Sequence, residues 1–237
     1  MIIILKNSFK SKKIKHWVFD LDNTLYPASS NLFSKIDVRM KKFIIKKLNM
    51  EAEEAYNLQK KYYIKYGTTL AGLMKNHNIL PKDFLDYVHK IDASSLNVDM
   101  RLKNILKKLP GELYIYTNGS KSHALNVMKR LEINSYINKI FDIENANYIP
   151  KPSKGSLDIF INKFNINPNE AVFFEDISKN LINAKKLGFQ TVLIKNKSHP
   201  DKNIQVIKEE NVNNSYIDLI SYDLPVILEE IYLDMNR

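Results

Sequence analysis

The chain has 237 residues, a formal net charge of +10 and no cysteine. Its 44% hydrophobic and 26% charged residues exclude disordered, collagenous and low-complexity classes, and the missing thiol excludes disulfides, zinc–thiolate sites, iron–sulfur clusters and cysteine nucleophiles. The apolar run Ile2-Ile3-Ile4-Leu5 is too short for a signal core or a spanning helix, so no membrane partner and a cytoplasmic setting are expected. The basic excess invites a nucleic-acid reading, yet only four of the 36 basic residues are arginine (Arg39, Arg101, Arg130, Arg237). Base-edge readout favours arginine forks. The scattered lysines, with small clusters at Lys10–Lys13, Lys41–Lys47 and Lys185–Lys197, read as solvated helix faces whose positive potential draws in a small phosphorylated anion.

In chain order, the first strand signal is His16–Phe19, which stops abruptly at Asp20-Leu21-Asp22. Residues 27–97 then show helical spacing (Leu32, Ile36, Met40, Phe43; Tyr56, Tyr63; Phe84, Leu85, Val88), punctuated at Gly67, Gly72 and Pro81, with no strand signal. Further strand signals fall at Leu113–Tyr116, Lys139–Phe141, Ala171–Phe174 and Thr191–Ile194, with helical stretches at Ser122–Leu131, Ser156–Phe164 and Asn180–Leu187, the last closed by Gly188. Strands alternating with helices predict an α/β fold: a Rossmann-like parallel sheet with helices on both faces. Residues 27–97 are a helical insertion into it, and the amphipathic stretch Leu219–Met235 is expected to pack on the core as a helix.

Polar clusters follow the strand signals, where open parallel sheets bind ligands. Asp20 and Asp22 place two carboxylates two residues apart; one can attack an electrophile and the other can move protons, although such a pair also reads as a simple turn. Thr117-Asn118-Gly119-Ser120 opens a helix and reads either as an anion nest or as an N-cap. Lys151 before Pro152 reads as a surface lysine or as the counter-charge of a phosphate or an ionised nucleophile. Glu175-Asp176 ends a very apolar strand, a costly placement that a hard cation would relieve. His123 reads as a surface or packing residue of its helix, Tyr62, Tyr63 and Tyr66 as core of the insertion, and His16, His77, His89 and His199 show no ligand spacing.

Taken in order, D-L-D-N-T-L-Y-P, T-N-G-S, K-P and F-F-E-D-x-x-x-N resemble the four motifs of the haloacid dehalogenase-like hydrolase superfamily, over about residues 14–195. Asp22–Pro27, Thr117-Asn118 with His123-Ala124, Glu175-Asp176 with Asn180-Leu181, and Tyr66–Leu73 resemble its pyrimidine 5′-nucleotidase group. The resemblance implies an α/β core of residues 1–26 and 98–237 and a type C1 helical cap of residues 27–97. It implies a Mg2+-dependent phosphomonoester hydrolase with Asp20 as nucleophile and Asp22 as general acid/base. Lys151 is then the third-motif lysine, and Thr117 with Asn118 binds phosphate. The metal ligands are Asp20, Asp22 through its carbonyl, Asp176 and Glu175. Asn180 stands where some relatives carry another acid and is left out of that shell. The expected partner is a small phosphomonoester, UMP or CMP first, and no nucleic-acid polymer. Gly67, Thr68 and Thr69 are the expected specificity loop, with hydroxyls free to pair with a base or ribose.

Three other readings use the same residues: a phosphatase for a sugar phosphate or phosphoglycolate, a phosphomutase, and a haloacid dehalogenase. The last has no need of Asp22, because a halide leaves without a proton. A basic, non-enzymatic binding protein leaves all four motifs unexplained.

Overall fold

The computed structural model describes residues 2–4, 9–195 and 214–237; Lys197, His199 and the Asn- and Lys-rich stretch at 201–213 lie outside the described residues. Among the described residues, seven strands form one sheet: β1 (Ile2–Ile4), β2 (His16–Phe19), β3 (Glu112–Tyr116), β4 (Lys139–Phe141), β5 (Ala171–Glu175), β6 (Gln190–Ile194) and β7 (Leu219–Ser221), in the order β1-β7-β6-β5-β2-β3-β4. From β2 to β7 all neighbours are parallel, and β1 alone pairs antiparallel, on β7. The chain runs outward from β2 through β3 to β4, then returns to β5 on the other side of β2 and runs outward again. The carboxyl ends of β2 and β5 therefore flank the switch point, where a crevice opens in a doubly wound sheet.

The strand sequences are nearly continuous apolar runs because both faces are covered. Trp17, Phe19, Leu113, Ile115, Val172, Phe174 and Val192 point to one face, under α5 (Met100–Leu106), α6 (Lys121–Leu131) and the C-terminal helix Leu224–Met235. Val18, Tyr114, Tyr116, Phe173 and Leu193 point to the other, under α7 (Lys154–Phe164) and α8 (Leu181–Leu187). This two-residue alternation is what a pleated strand imposes, and it fits the α/β class read from the sequence.

Between β2 and α5 stand four helices: α1 (Leu32–Leu48), α2 (Ala52–Tyr66), α3 (Thr69–His77) and α4 (Pro81–Val88). They bury a core of their own, built on Ile36, Phe43, Tyr62, Leu73, Phe84 and Val88. A capping box of Glu51 and Glu54 starts α2, and Pro81 sits in the first turn of α4. Gly72 allows α3 to lie against α2, since a Cβ there would come within 2.3 Å of the Tyr62 ring.

The C-terminal stretch differs from the expected single helix. Leu219–Ser221 is strand, and the helix begins only at Leu224, capped by Asp223 and led by Pro225. Three strand residues carry too little periodicity to separate from the helix that follows. No helix among the described residues is long and apolar enough to cross a membrane.

Candidate active site

The end of β2 sets the first acid. The Asp20 amide continues the ladder by donating to the Phe174 carbonyl at 2.9 Å, so the carboxylate stands beside the end of β5. A turn at Asp22–Leu25, with Asn23 in the left-handed region (φ 62°), then brings Asp22 back to the same crevice; asparagine tolerates that conformation.

Lys151 lies at the centre. Its ammonium donates to Asp20 Oδ1 at 2.6 Å, to the Tyr116 carbonyl at 2.8 Å and to Glu175 Oε1 at 2.9 Å. All three protons of the side chain are engaged, and the residue is only 3% exposed. The surface reading of Lys151 does not hold, because its ammonium is buried against two carboxylates. Burial pulls the ammonium down, but Asp20 and Glu175 outweigh it and push its pKa up. Asp20 Oδ2 accepts from Thr24 Oγ1 at 3.2 Å. Burial drives the Asp20 carboxyl well above its usual range against the pull of Lys151, and Glu175 and Asp176 add to the rise.

The cluster also holds excess buried negative charge. Oxygens of Asp20, Glu175 and Asp176 all lie within 4.8 Å of one another. Three carboxylates against one ammonium leave two negative charges, the complement of a divalent cation, and an all-oxygen donor set suits a hard one. Both oxygens of Glu175 are engaged: Lys151 and Asn180 donate to Oε1, and the Ile177 amide donates to Oε2. Asn180, outside the expected metal shell, thus acts on Glu175.

Asp22 Oδ1 accepts two hydrogen bonds, from the Tyr26 hydroxyl and from His123 Nε2 at 2.8 Å. Burial pushes the Asp22 carboxyl up, but the His123 and Tyr26 contacts win and hold it below its usual value. His123 is buried in this contact, so the surface half of its reading does not hold. The His89 ring, just past α4, stacks on it at 4.5 Å and 8°.

Thr117 and Asn118 follow β3. Thr117 lines the crevice, and its hydroxyl accepts from the Gly119 amide at 2.9 Å. The Asn118 side chain is spent on the backbone of Lys151, whose amide it accepts at 2.8 Å and whose carbonyl it approaches at 3.4 Å. Ser120 caps α6, as the simpler reading of T-N-G-S had it.

Above these residues the crevice widens into a cavity of about 550 Å³, in the size range of small-molecule sites. Its floor includes Asp20, Asp22, Thr117, Lys151 and Asp176; Phe33, Met40, Tyr63 and Gly67–Thr69 face it from the helices. Tyr63 lines the cavity, and burial, with the charges of Asp176 and Glu175, pushes its phenol up. Tyr62 instead packs inside the helical unit, bonded to His77 at 2.7 Å. Thr68 and Thr69 line the cavity, but their hydroxyls are not free as expected. Thr68 Oγ1 caps α3 by accepting from the Ala71 amide at 3.1 Å, and Thr69 Oγ1 donates to the Gln59 carbonyl at 3.3 Å. Gly67 (φ 85°) closes α2, and a Cβ there would press on the Lys151 carbonyl at 3.3 Å.

The chain resembles known proteins along the same lines. It is 27% identical to phosphate metabolism protein 8 of Saccharomyces cerevisiae, over 92% of this chain and 74% of that one. In three dimensions it resembles a phosphatase from Thermococcus onnurineus (TM-score 0.59, 18% identity, 92% and 97% of the two chains) and L-2-haloacid dehalogenase from Xanthobacter autotrophicus (TM-score 0.59, 13% identity, 92% and 98%). It also resembles the magnesium-bound hydrolase YfnB from Bacillus subtilis (TM-score 0.55, 14% identity, 94% and 99%). The sequence profile of the haloacid dehalogenase-like hydrolases matches residues 17–194, most of the chain and every strand-end acid of the site, and the protein belongs to that family.

Proposed function

We propose that the protein is a Mg2+-dependent phosphomonoester hydrolase working through an aspartyl-phosphate on Asp20, with a pyrimidine nucleoside monophosphate as substrate. The observation that carries this is the buried Asp20–Lys151–Glu175 cluster sharing one cavity with Asp22.

Asp20 attacks phosphorus while Lys151 and Thr24 hold its carboxylate in line. The P–O bond to the leaving group breaks, and that oxygen takes a proton from Asp22. Since the free site holds Asp22 ionised, the proton enters with the substrate monoanion, whose last pKa is about 6. Water then attacks the phosphoryl group, Asp22 accepts its proton, and Asp20 is regenerated with release of phosphate. Asp20, Asp176, Glu175 and the Asp22 carbonyl would hold Mg2+, which when bound offsets the charge of the phosphate and polarises its oxygens. Thr117 faces the phosphate from the end of β3.

Helices α1–α4 serve as the cap, and residues 27–97 as its span in the chain. Lys65 and Lys179 line the cavity and add positive charge for an anionic substrate, while Lys60 is paired there with Asp37 at 3.0 Å. The Gly67–Thr69 turn shapes the roof through its backbone, its hydroxyls being engaged. The firmly held Asp22 supports phosphate ester over haloacid, because an alkoxide needs the proton that a halide does not.

A phosphate-release panel tests the reading. UMP and CMP are expected to exceed AMP, GMP and sugar phosphates in kcat/KM, with activity lost in excess EDTA and restored by Mg2+. A sugar phosphate turned over far faster than any nucleotide would overturn the substrate, and full activity after chelation and dialysis would overturn the metal.

A further inference from the structure

His123 lies on α6, 101 residues from Asp22 in the chain, yet it makes one of the two contacts that fix this carboxylate. Both donors fall on Oδ1, one from Tyr26 and one from His123. That leaves Oδ2 as the oxygen a substrate can meet in the cavity. A carboxylate held at one oxygen by two donors has lost most of its rotation.

The imidazole is itself braced. Its side chain is completely buried, and its other nitrogen, Nδ1, has no hydrogen-bond partner among the described residues. The Nε2 contact to Asp22 is thus the one hydrogen bond that the ring makes among the described residues. The ring is held flat by His89, stacked at 4.5 Å, and His89 is fixed in turn by Ser120 Oγ at 2.9 Å. Gly119 makes room for the pair: a Cβ there would lie 3.3 Å from His123 Cδ2 and 3.6 Å from His89 Nε2. His89 follows α4, so the helical unit and the sheet domain meet at the residue that orients Asp22.

We infer that His123 is a positioning residue for Asp22, braced by the His89 ring from the helical unit, and that this stack sets the reach of the Asp22 carboxylate to the leaving oxygen. The inference rests on the phosphomonoesterase reading above. A misplaced acid fails where the leaving group needs its proton, and matters little where the leaving group departs as a stable anion.

The test is the single-turnover rate of enzyme phosphorylation, by rapid acid quench with Mg2+, for UMP (an alkoxide leaving group) and p-nitrophenyl phosphate (a stable phenolate). His123→Ala is expected to slow the step on the order of 10²-fold with UMP and only a few-fold with p-nitrophenyl phosphate, with KM little changed. His123→Gln, which returns an N–H donor, is expected to recover most of the UMP rate. His89→Ala, at a partly buried position, is expected to show the same selective loss at smaller size, and it carries the test if His123→Ala does not fold. Equal losses on both substrates, or losses through KM alone, would overturn the positioning role while leaving the phosphatase reading intact. A wild type that phosphorylates with neither substrate would overturn that reading instead.

Discussion

Lys151 shows how much one side chain carries. Its ammonium meets two carboxylates and a carbonyl at a buried position, so removing it leaves Asp20 and Glu175 facing each other uncompensated. Breaking one side of a buried ion pair costs about 3–5 kcal/mol. Lys151→Met is expected to lose about 3 kcal/mol in denaturant unfolding without metal, with part of the loss recovered on adding Mg2+; an unchanged midpoint would mean that the acids do not depend on the lysine. His89 offers a test by pH. Burial, with a smaller push from His123, drives its pKa from 6.5 down to about 3. Below pH 6.5 the unfolded chain takes up a proton that the folded ring refuses, so its contribution is present above pH 6.5 and is lost as the pH falls toward 3. The slope this adds is at most about 1.4 kcal/mol per pH unit. His89→Phe keeps an aromatic ring against His123 and is expected to flatten stability between pH 4 and 6.5, measured as unfolding free energy against pH; an unaltered slope would show that His89 titrates normally. At this scale Asp20, Lys151, Glu175 and Asp176 were legible, since each directly follows a strand signal or precedes a helix. His123 was not, because its partner is 101 residues away and helical spacing reports a face without naming what lies opposite.

The elements place these residues more than they hold them. Strand ends at β2 and β5 bring Asp20 and Glu175 together because Phe19 and Phe174 are in register, and the central strands were readable from their apolar runs. The edge was harder. Leu219–Ser221 merges with the helix behind it, and Ile2–Ile4 pairs antiparallel on that strand, so neither could be recognised before the other. The Gly67–Thr69 turn was located correctly in the chain, but its hydroxyls serve α3 and Gln59, since a helix start satisfies its own donors first. Tyr63 on α2 is the better candidate for contact, since it lines the same cavity as Asp176 and Glu175. Tyr63→Phe is expected to raise KM for phosphomonoesters roughly tenfold, the worth of one hydrogen bond to a charged group at about 1.5 kcal/mol, without moving the thermal midpoint. An unchanged KM would place the phenol outside the substrate's reach.

At the scale of the whole molecule, a doubly wound sheet puts its acids at a switch point and a helical unit closes a cavity over them. The fold class follows from alternation of strand and helix signals, and the helical insertion from their interruption. How the two units meet was not legible, because Gly67 against Lys151 and His89 against His123 are contacts between distant parts of the chain. The fold serves both phosphatases and dehalogenases among its structural relatives, so the chemistry rests on the site. The most direct measurement is peptide mapping of enzyme acid-quenched during turnover of UMP with Mg2+. The account expects a phosphoryl group on Asp20, absent from an Asp20→Asn variant that neither turns over nor unfolds. Phosphate released with no phosphoryl group on the chain, or normal turnover by Asp20→Asn without deamidation, would contradict it.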